Sequence, residues 1–178
     1  FQSGIPVGER FVDALPITLE LMIMATFLSA VIGIPLGVAS AMRQNSRLDY
    51  VARLISVAGL AMPNFWIGTM LILGLSLQFQ WIPPLTYVSF FSNPADNLTQ
   101  FIFPAAVLAF SFAAIVARMT RSELLEVLRQ DYIRTAWAKG LREREVVYRH
   151  ALRNALIPLI TVMGTLVAAL ISGTIIVE

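Results

Sequence analysis

Four long runs of this chain carry no charged residue: Leu21 to Met42, Leu54 to Ala95, Asn97 to Ala117 and Asn154 to Val177. A bilayer's hydrocarbon core takes about 20 apolar residues of helix. Within it, every backbone N–H and C=O must be satisfied by the segment itself, which helices achieve. One such run could be a buried core helix of a soluble protein, but four in one chain argue against that. Pro83-Pro84 divides the second run into a span and a loop. Spans are expected over 17–42, 54–79, 103–120 and 155–177, the third starting near Phe103-Pro104, where a first-turn proline is tolerated. The expected fold class is an all-α membrane protein. It is a polytopic helical bundle of about four transmembrane helices, one domain over 1–178, with a helical segment over 121–154 between the last two spans.

Composition agrees. At 57% hydrophobic and 13% charged residues, with a mean hydropathy of +0.74, the chain is too apolar for a soluble domain of this length. It starts at Phe1 and stops at Glu178 directly after an apolar run, so it reads as an internal piece of a longer protein. No cysteine is present, which excludes disulfides and thiolate metal sites. No basic segment precedes an apolar core at the start, so no signal peptide is visible. No internal repeat or low-complexity segment is found. The sequence pI of about 9.4 would suit nucleic-acid binding, but the placement of the charges suits a membrane topology better.

Arg43, Arg47 and Arg53 lie between the first two spans. Arg118, Arg121, Arg129, Arg134, Lys139, Arg142, Arg144, Arg149 and Arg153 lie between the last two. The loop from Gln78 to Ile102 has no basic residue, and its only charge is Asp96. By the positive-inside rule both basic loops face the cytoplasm and the Trp81-Ile82-Pro83-Pro84 loop faces outward. Trp81 and Tyr87 fit an interfacial aromatic belt.

Small residues recur every four positions: Ser29, Gly33, Gly37 and Ala41; Ala105, Ala109, Ala113 and Ala117; Gly164, Ala168 and Ser172. That spacing gives a helix one smooth face for close packing in lipid. The same faces could also slide during a conformational cycle. Pro35 and Pro63 fall inside spans, where proline removes a backbone bond and bends the helix. Asn64, with Phe65 and Trp66 beside it, falls near mid-membrane. An amide there either lines a solvated translocation pathway or makes an inter-helix hydrogen bond. Glu20 either lines the same path or is simply solvated near the outer interface.

Leu124, Leu125, Leu128, Tyr132, Ile133, Ala136 and Trp137 recur at helical spacing, and Gly140 offers a stop. Glu143-Arg144-Glu145 then leads a second pattern toward the membrane. Small residues at the turn (Thr135, Ala136, Ala138, Gly140) suit insertion into a groove on a partner, with arginines pairing at its rim. The alternative is a solvated basic loop that only orients the protein.

Arg134-Thr135-Ala136-Trp137-Ala138-Lys139-Gly140, followed by Arg149-His150-Ala151-Leu152-Arg153-Asn154-Ala155-Leu156-Ile157-Pro158, resembles the cytoplasmic coupling motif of ABC importer permeases, in particular the dipeptide/oligopeptide/nickel branch. Leu15 to Glu20, Gly33 to Gly37, Pro63 to Gly68 and Gly173 to Glu178 resemble that branch as well. The general motif is Glu-Ala-Ala, three residues, Gly, nine residues, Ile-x-Leu-Pro. Ala136, Gly140 and Leu152 match it, whereas Arg134, Thr135, His150 and Arg153 depart from it as the peptide branch does.

The resemblance implies a non-catalytic permease in a bacterial or archaeal inner membrane, paired with a second homologous permease and two cytoplasmic ATPases. An extracytoplasmic binding protein would deliver the substrate. Residues Arg134 to Gly140 would couple to the ATPases, and replacing Ala136 by Arg or Gly140 by Trp would uncouple them. About six helices are usual, so further helices belong outside this stretch. These motifs are shared by permeases for peptides, nickel complexes, glutathione and oligosaccharides, so they imply the class and not the cargo.

No Gly-x-x-x-x-Gly-Lys-Ser/Thr phosphate loop occurs, so ATP and magnesium are expected on the partner and no cofactor in this chain. The only histidine, His150, lacks metal-ligand spacing. Ser56, Ser76 and Ser172 lack a histidine or lysine at a spacing that would make a nucleophile. The competing function classes are a channel or secondary transporter fragment, where the scarcity of ionisable residues in the spans counts against an ion-driven cycle, and a membrane scaffold with a basic docking loop.

Overall fold

Small side chains decide how the helices of this protein meet. The structure, a computed structural model, describes residues 7–82, 84 and 86–177, so Pro83 of the Pro83-Pro84 pair and Glu178 lie outside the described residues. The helices are α1 (Val7–Met42), α2 (Arg47–Ala61), α3 (Asn64–Phe79), α4 (Pro94–Val127), α5 (Asp131–Ala138) and α6 (Glu143–Glu145). The last continues through a π-helical segment (Val146–Ala151) into α7 (Leu152–Val177), and the described residues contain no strand.

α1 and α4 form the most extensive contact. Ser29, Gly33, Gly37 and Ala41 on α1 are buried, as are Ala105, Ala109, Ala113 and Ala117 on α4. A β-carbon at Gly33 would lie 2.7 Å from Val116 Cγ1 and 2.9 Å from the Ala113 carbonyl oxygen. One at Gly37 would lie 2.6 Å from the Ala117 carbonyl oxygen. Only glycine allows this approach, the van der Waals packing that replaces the hydrophobic effect between helices in lipid. α2 joins at Gly59, where a β-carbon would lie 3.0 Å from Ala114 Cβ. The third stripe is different. Gly164 and Ala168 are exposed, and the Ser172 side chain lies outside the described residues.

Three helical stretches are long and apolar enough to cross a membrane: Ala14–Met42, Pro94–Val127 and Glu143–Ala168. α2 and α3 together make a fourth if the bent pair is one span. The expected boundaries shift in three places. The span expected at 103–120 belongs to a 34-residue helix beginning at Pro94, and Pro104 lies within it. Asn93 caps it, its side chain accepting from the Asp96 amide, and Asp96 sits favourably at the positive end of the helix dipole. The last helical column begins at Glu143 rather than 155. At about 51 Å, α4 exceeds the hydrocarbon thickness of about 30 Å and carries α5 beyond it.

The span expected over 54–79 is broken. α2 and α3 meet at 99° across Met62 and Pro63. A proline pushes the preceding residue into extended backbone, and Met62 is there (φ −91°, ψ 125°). Pro35 does not break α1, because Gly33 and Gly37 on either side of it are held against α4. α3 has no such clamp, since none of its residues is buried.

At the loop end, amide side chains of α4 hydrogen-bond the backbone of Pro84, Thr86 and Val88. Gln100 Nε2 donates to the carbonyls of Pro84 (3.3 Å) and Thr86 (3.0 Å), while Gln100 Oε1 accepts from the Val88 amide (3.2 Å). Trp81 packs on Phe103 with ring centroids 5.2 Å apart, and Tyr87 meets Phe101 edge-on at 6.1 Å.

Candidate functional site

The segment from Asp131 to Gly140 is a short helix closed by a left-handed glycine. The Leu141 amide reaches back to the Ala136 carbonyl (3.4 Å), and the Gly140 amide to the Trp137 carbonyl (2.9 Å). With Gly140 at φ +76°, this is the Schellman pattern of a helix C-terminus. Leu141 then packs on the same cluster that holds Ala136, the apolar contact that accompanies such a cap. Asp131 in the first turn of α5 complements its dipole. A single helix over 124–137 does not form. The chain turns at Leu128–Gln130, so α5 is a separate element.

Beneath α5 lies a core of Val38 and Ala41 from α1, Leu124 from α4, Ile133 and Ala136 from α5, and Val146, Val147, Ala151 and Ala155. The π-helical turn brings adjacent Val146 and Val147 to one buried face. The seven residues expected to contact a partner therefore divide. Ala136 is buried in this core, whereas Arg134, Thr135, Trp137, Ala138, Lys139 and Gly140 are exposed. An arginine at Ala136 would disturb packing inside the chain, so Ala136→Arg does not probe an interface. Asn154 Nδ2 donates to the Tyr132 hydroxyl at 2.6 Å, bracing α5 against the start of α7.

The residues proposed for a pathway are not brought together. Asn64 Oδ1 accepts from Ser111 Oγ at 2.6 Å, an inter-helix hydrogen bond between α3 and α4. Asn64 and Phe65 line a groove of about 580 Å3 with Ile17, Leu21 and Gly68. Glu20 instead lines a groove of about 680 Å3 with Met24, Phe27 and Tyr87, and accepts from Asn97 Nδ2 at 3.0 Å. Asn97 also donates to the Val88 carbonyl, tying the loop end to α1. Trp66 lines neither groove and is exposed.

One polar centre went unread in the sequence. Asp49 is fully buried at the start of α2 and binds partners from three helices. Ser40 of α1 donates to it, as do the Asn45 amide (2.9 Å) and Arg53 Nε (3.1 Å). Arg121 of α4 grips it bidentately, Nε at 2.8 Å and a terminal nitrogen at 3.1 Å. A buried carboxylate is tolerable only when paired and hydrogen-bonded in this way. Two signals pointed to it. Ser46-x-x-Asp49 has the spacing of a helix N-cap, and Ser46 does accept from the Asp49 amide. Asp49 and Arg53 stand four apart, the spacing of a helical ion pair.

Residues 33–178 match the family model described as binding-protein-dependent transport system inner membrane component. The chain is 45% identical over 99% of its length to the oligopeptide transport system permease protein AppB of Bacillus subtilis (strain 168), of which it covers 57%. It is 41% identical over 97% of its length to the dipeptide transport system permease protein DppB of the same organism, covering 53% of that protein. To the dipeptide transport system permease protein DppB of Escherichia coli (strain K12) it is 40% identical over 99% of its length, covering 59%. The chain thus spans somewhat more than half the length of these relatives. With the family model matching most of an all-helical, multi-span chain, this protein belongs to the family of binding-protein-dependent transport system inner membrane components.

Proposed function

We propose that this chain is the membrane-spanning part of an ABC importer permease for peptides or a related small solute, and that α5 with its Gly140 elbow receives a cytoplasmic ATPase. The observation that carries the reading is the division of α5 into two faces. Ile133 and Ala136 anchor one face to the ends of α1, α4 and α7, while Arg134, Thr135, Trp137, Ala138 and Lys139 stand exposed on the other. Force applied to the exposed face is transmitted through a packed core to three helices at once. The basic residues around α5 favour the cytoplasmic side.

In this reading two ATPases close on binding ATP with its magnesium, and the α5 helices of this chain and of a second, homologous permease move with them. The spans then exchange outward for inward access, biased by contacts that differ between the two states. An extracytoplasmic binding protein delivers the peptide. The names of the relatives support a peptide cargo. ATP chemistry falls to the partner, and this chain supplies the path and the coupling. The membrane is the bacterial or archaeal inner membrane.

The test is co-purification of the full-length protein with its candidate ATPase. Ala138→Arg, on the exposed face, is expected to abolish stoichiometric capture while membrane insertion persists. Undiminished capture by Ala138→Arg and by Thr135→Arg would place the interface away from α5. The absence of any ATPase with the wild type would favour a channel.

A further inference from the structure

The Asp49 cluster leaves positive charge uncompensated. Arg53 and Arg121 share its one carboxylate, each spending Nε and one terminal nitrogen. Each guanidinium has five donors in a rigid fork, so one terminal nitrogen of each remains uncommitted to Asp49. Arg118, one turn before Arg121, has no ion-pair or hydrogen-bond partner among the described residues. All three arginines line a cleft of about 300 Å3 between α1, α2 and α4, and among the described residues no acidic side chain lines it. Ser122 also lines it and is exposed.

The cleft also has a direction. Ser40 in its wall is two residues short of the end of the apolar stretch of α1, and Arg118 is the first charge after the uncharged run of α4. Farther along α2 from the arginines the lining becomes apolar, with Val57 and Leu60 exposed. Charge at one end and exposed hydrocarbon at the other match a molecule with an anionic head and an apolar tail.

We infer that this cleft binds the phosphate of an anionic phospholipid, the headgroup on Arg118 and the free donors of Arg53 and Arg121, the acyl chains along Val57 and Leu60. Basic pockets between membrane helices hold acidic headgroups by charge-assisted, fork-matched hydrogen bonds. A soluble phosphate presents the same anion, but it has no use for the apolar wall. The site is independent of ATPase docking, since none of its lining residues belongs to α5.

The experiment is native mass spectrometry of the full-length protein, purified with its partner subunits, carrying phosphatidylglycerol or phosphatidylcholine. Wild type is expected to retain phosphatidylglycerol preferentially. Arg118→Gln, which removes no hydrogen bond or ion pair among the described residues, should weaken that retention about fivefold, the effect of one basic side chain at a membrane surface. Ser122→Leu, which adds bulk to the lining and keeps every charge, should weaken it too. Arg129→Gln, an equal loss of charge outside the cleft, should not. Equal retention of the two lipids, or equal loss in Arg118→Gln and Arg129→Gln, overturns the proposal. Binding of inorganic phosphate by wild type in phosphatidylcholine, without any preference for phosphatidylglycerol, assigns the cleft to a soluble anion and overturns the lipid.

Discussion

Gly33 and Gly37 of α1 and Gly164 of α7 belong to the same four-residue repeat of small side chains, yet their surroundings are opposite. A β-carbon at either of the first two would sit under 3 Å from α4, whereas one at Gly164 would meet nothing within 4 Å. The α1–α4 seam is closed inside this chain and braced at its basic end by Asp49. At Gly164 the α7 stripe is open. Small-residue spacing therefore reports that a face is smooth enough to pack, and it does not report whether the packing partner lies within the described chain.

The largest test of the seam is its brace. Asp49→Asn keeps the shape of the side chain but leaves Arg53 and Arg121 without their shared counter-charge. Removing one partner of a buried ionic group is expected to cost about 3 kcal/mol, read as a lowered thermal unfolding midpoint of the full-length protein in detergent. An unchanged midpoint would mean that packing alone holds α1, α2 and α4 together. Gly37→Ala comes next. Its new methyl would press on the backbone of Ala117, which cannot rotate away, so about 2 kcal/mol is expected from overpacking. Stability equal to wild type would show that α1 and α4 can separate freely, and the seam would then be a sliding contact.

Much of this was legible before any coordinates. Hydropathy marked the spans, and the four-residue repeats marked the two faces that meet. Gly140 was recognised as a stop because only a residue tolerant of the left-handed region closes a helix in that way. What escaped has physical reasons. The true start of α4 escapes because Pro104 reads as a first-turn proline, whereas the helix already runs from Pro94 and carries Pro104 inside it. Pro35 and Pro63 look alike in sequence. They differ only in whether the flanking residues are clamped by a neighbour, which local pattern does not encode. Asp49 escaped because its main partner, Arg121, is distant in sequence. The helical pattern already sets Ala136 with Leu124 and Ile133, the residues it is buried with, but a small side chain beside a glycine turn reads equally well as one suited to a partner's groove.

Gly140→Ala sharpens the comparison from a third direction, because its effect has no part from packing against another element. A β-carbon there meets nothing within 4 Å, but φ is +76°. The left-handed backbone alone is expected to cost about 1 kcal/mol, confined to the elbow, and to appear as faster hydrogen exchange at the Leu141 amide. Gly140→Asn, a residue that tolerates this conformation, should recover most of the protection. Equal loss in both variants would mean that the elbow is held by something other than its backbone.

Gly164→Ala should have the smallest effect, and its sign is informative. With open space around the site and ordinary helical backbone, the substitution removes the entropic weakness of glycine in a helix and adds no clash. The unfolding midpoint is then expected to stay level or to rise, by no more than the roughly 1 kcal/mol that separates the two residues in helix propensity. A loss matching that of Gly37→Ala would erase the distinction between the stripes, because a methyl group can be costly at Gly164 only if another backbone already lies against it. That backbone would have to come from beyond the described residues or from another subunit. Comparing the full-length protein alone with the same protein in its complex separates the two sources, since a cost present only in the complex belongs to a partner helix.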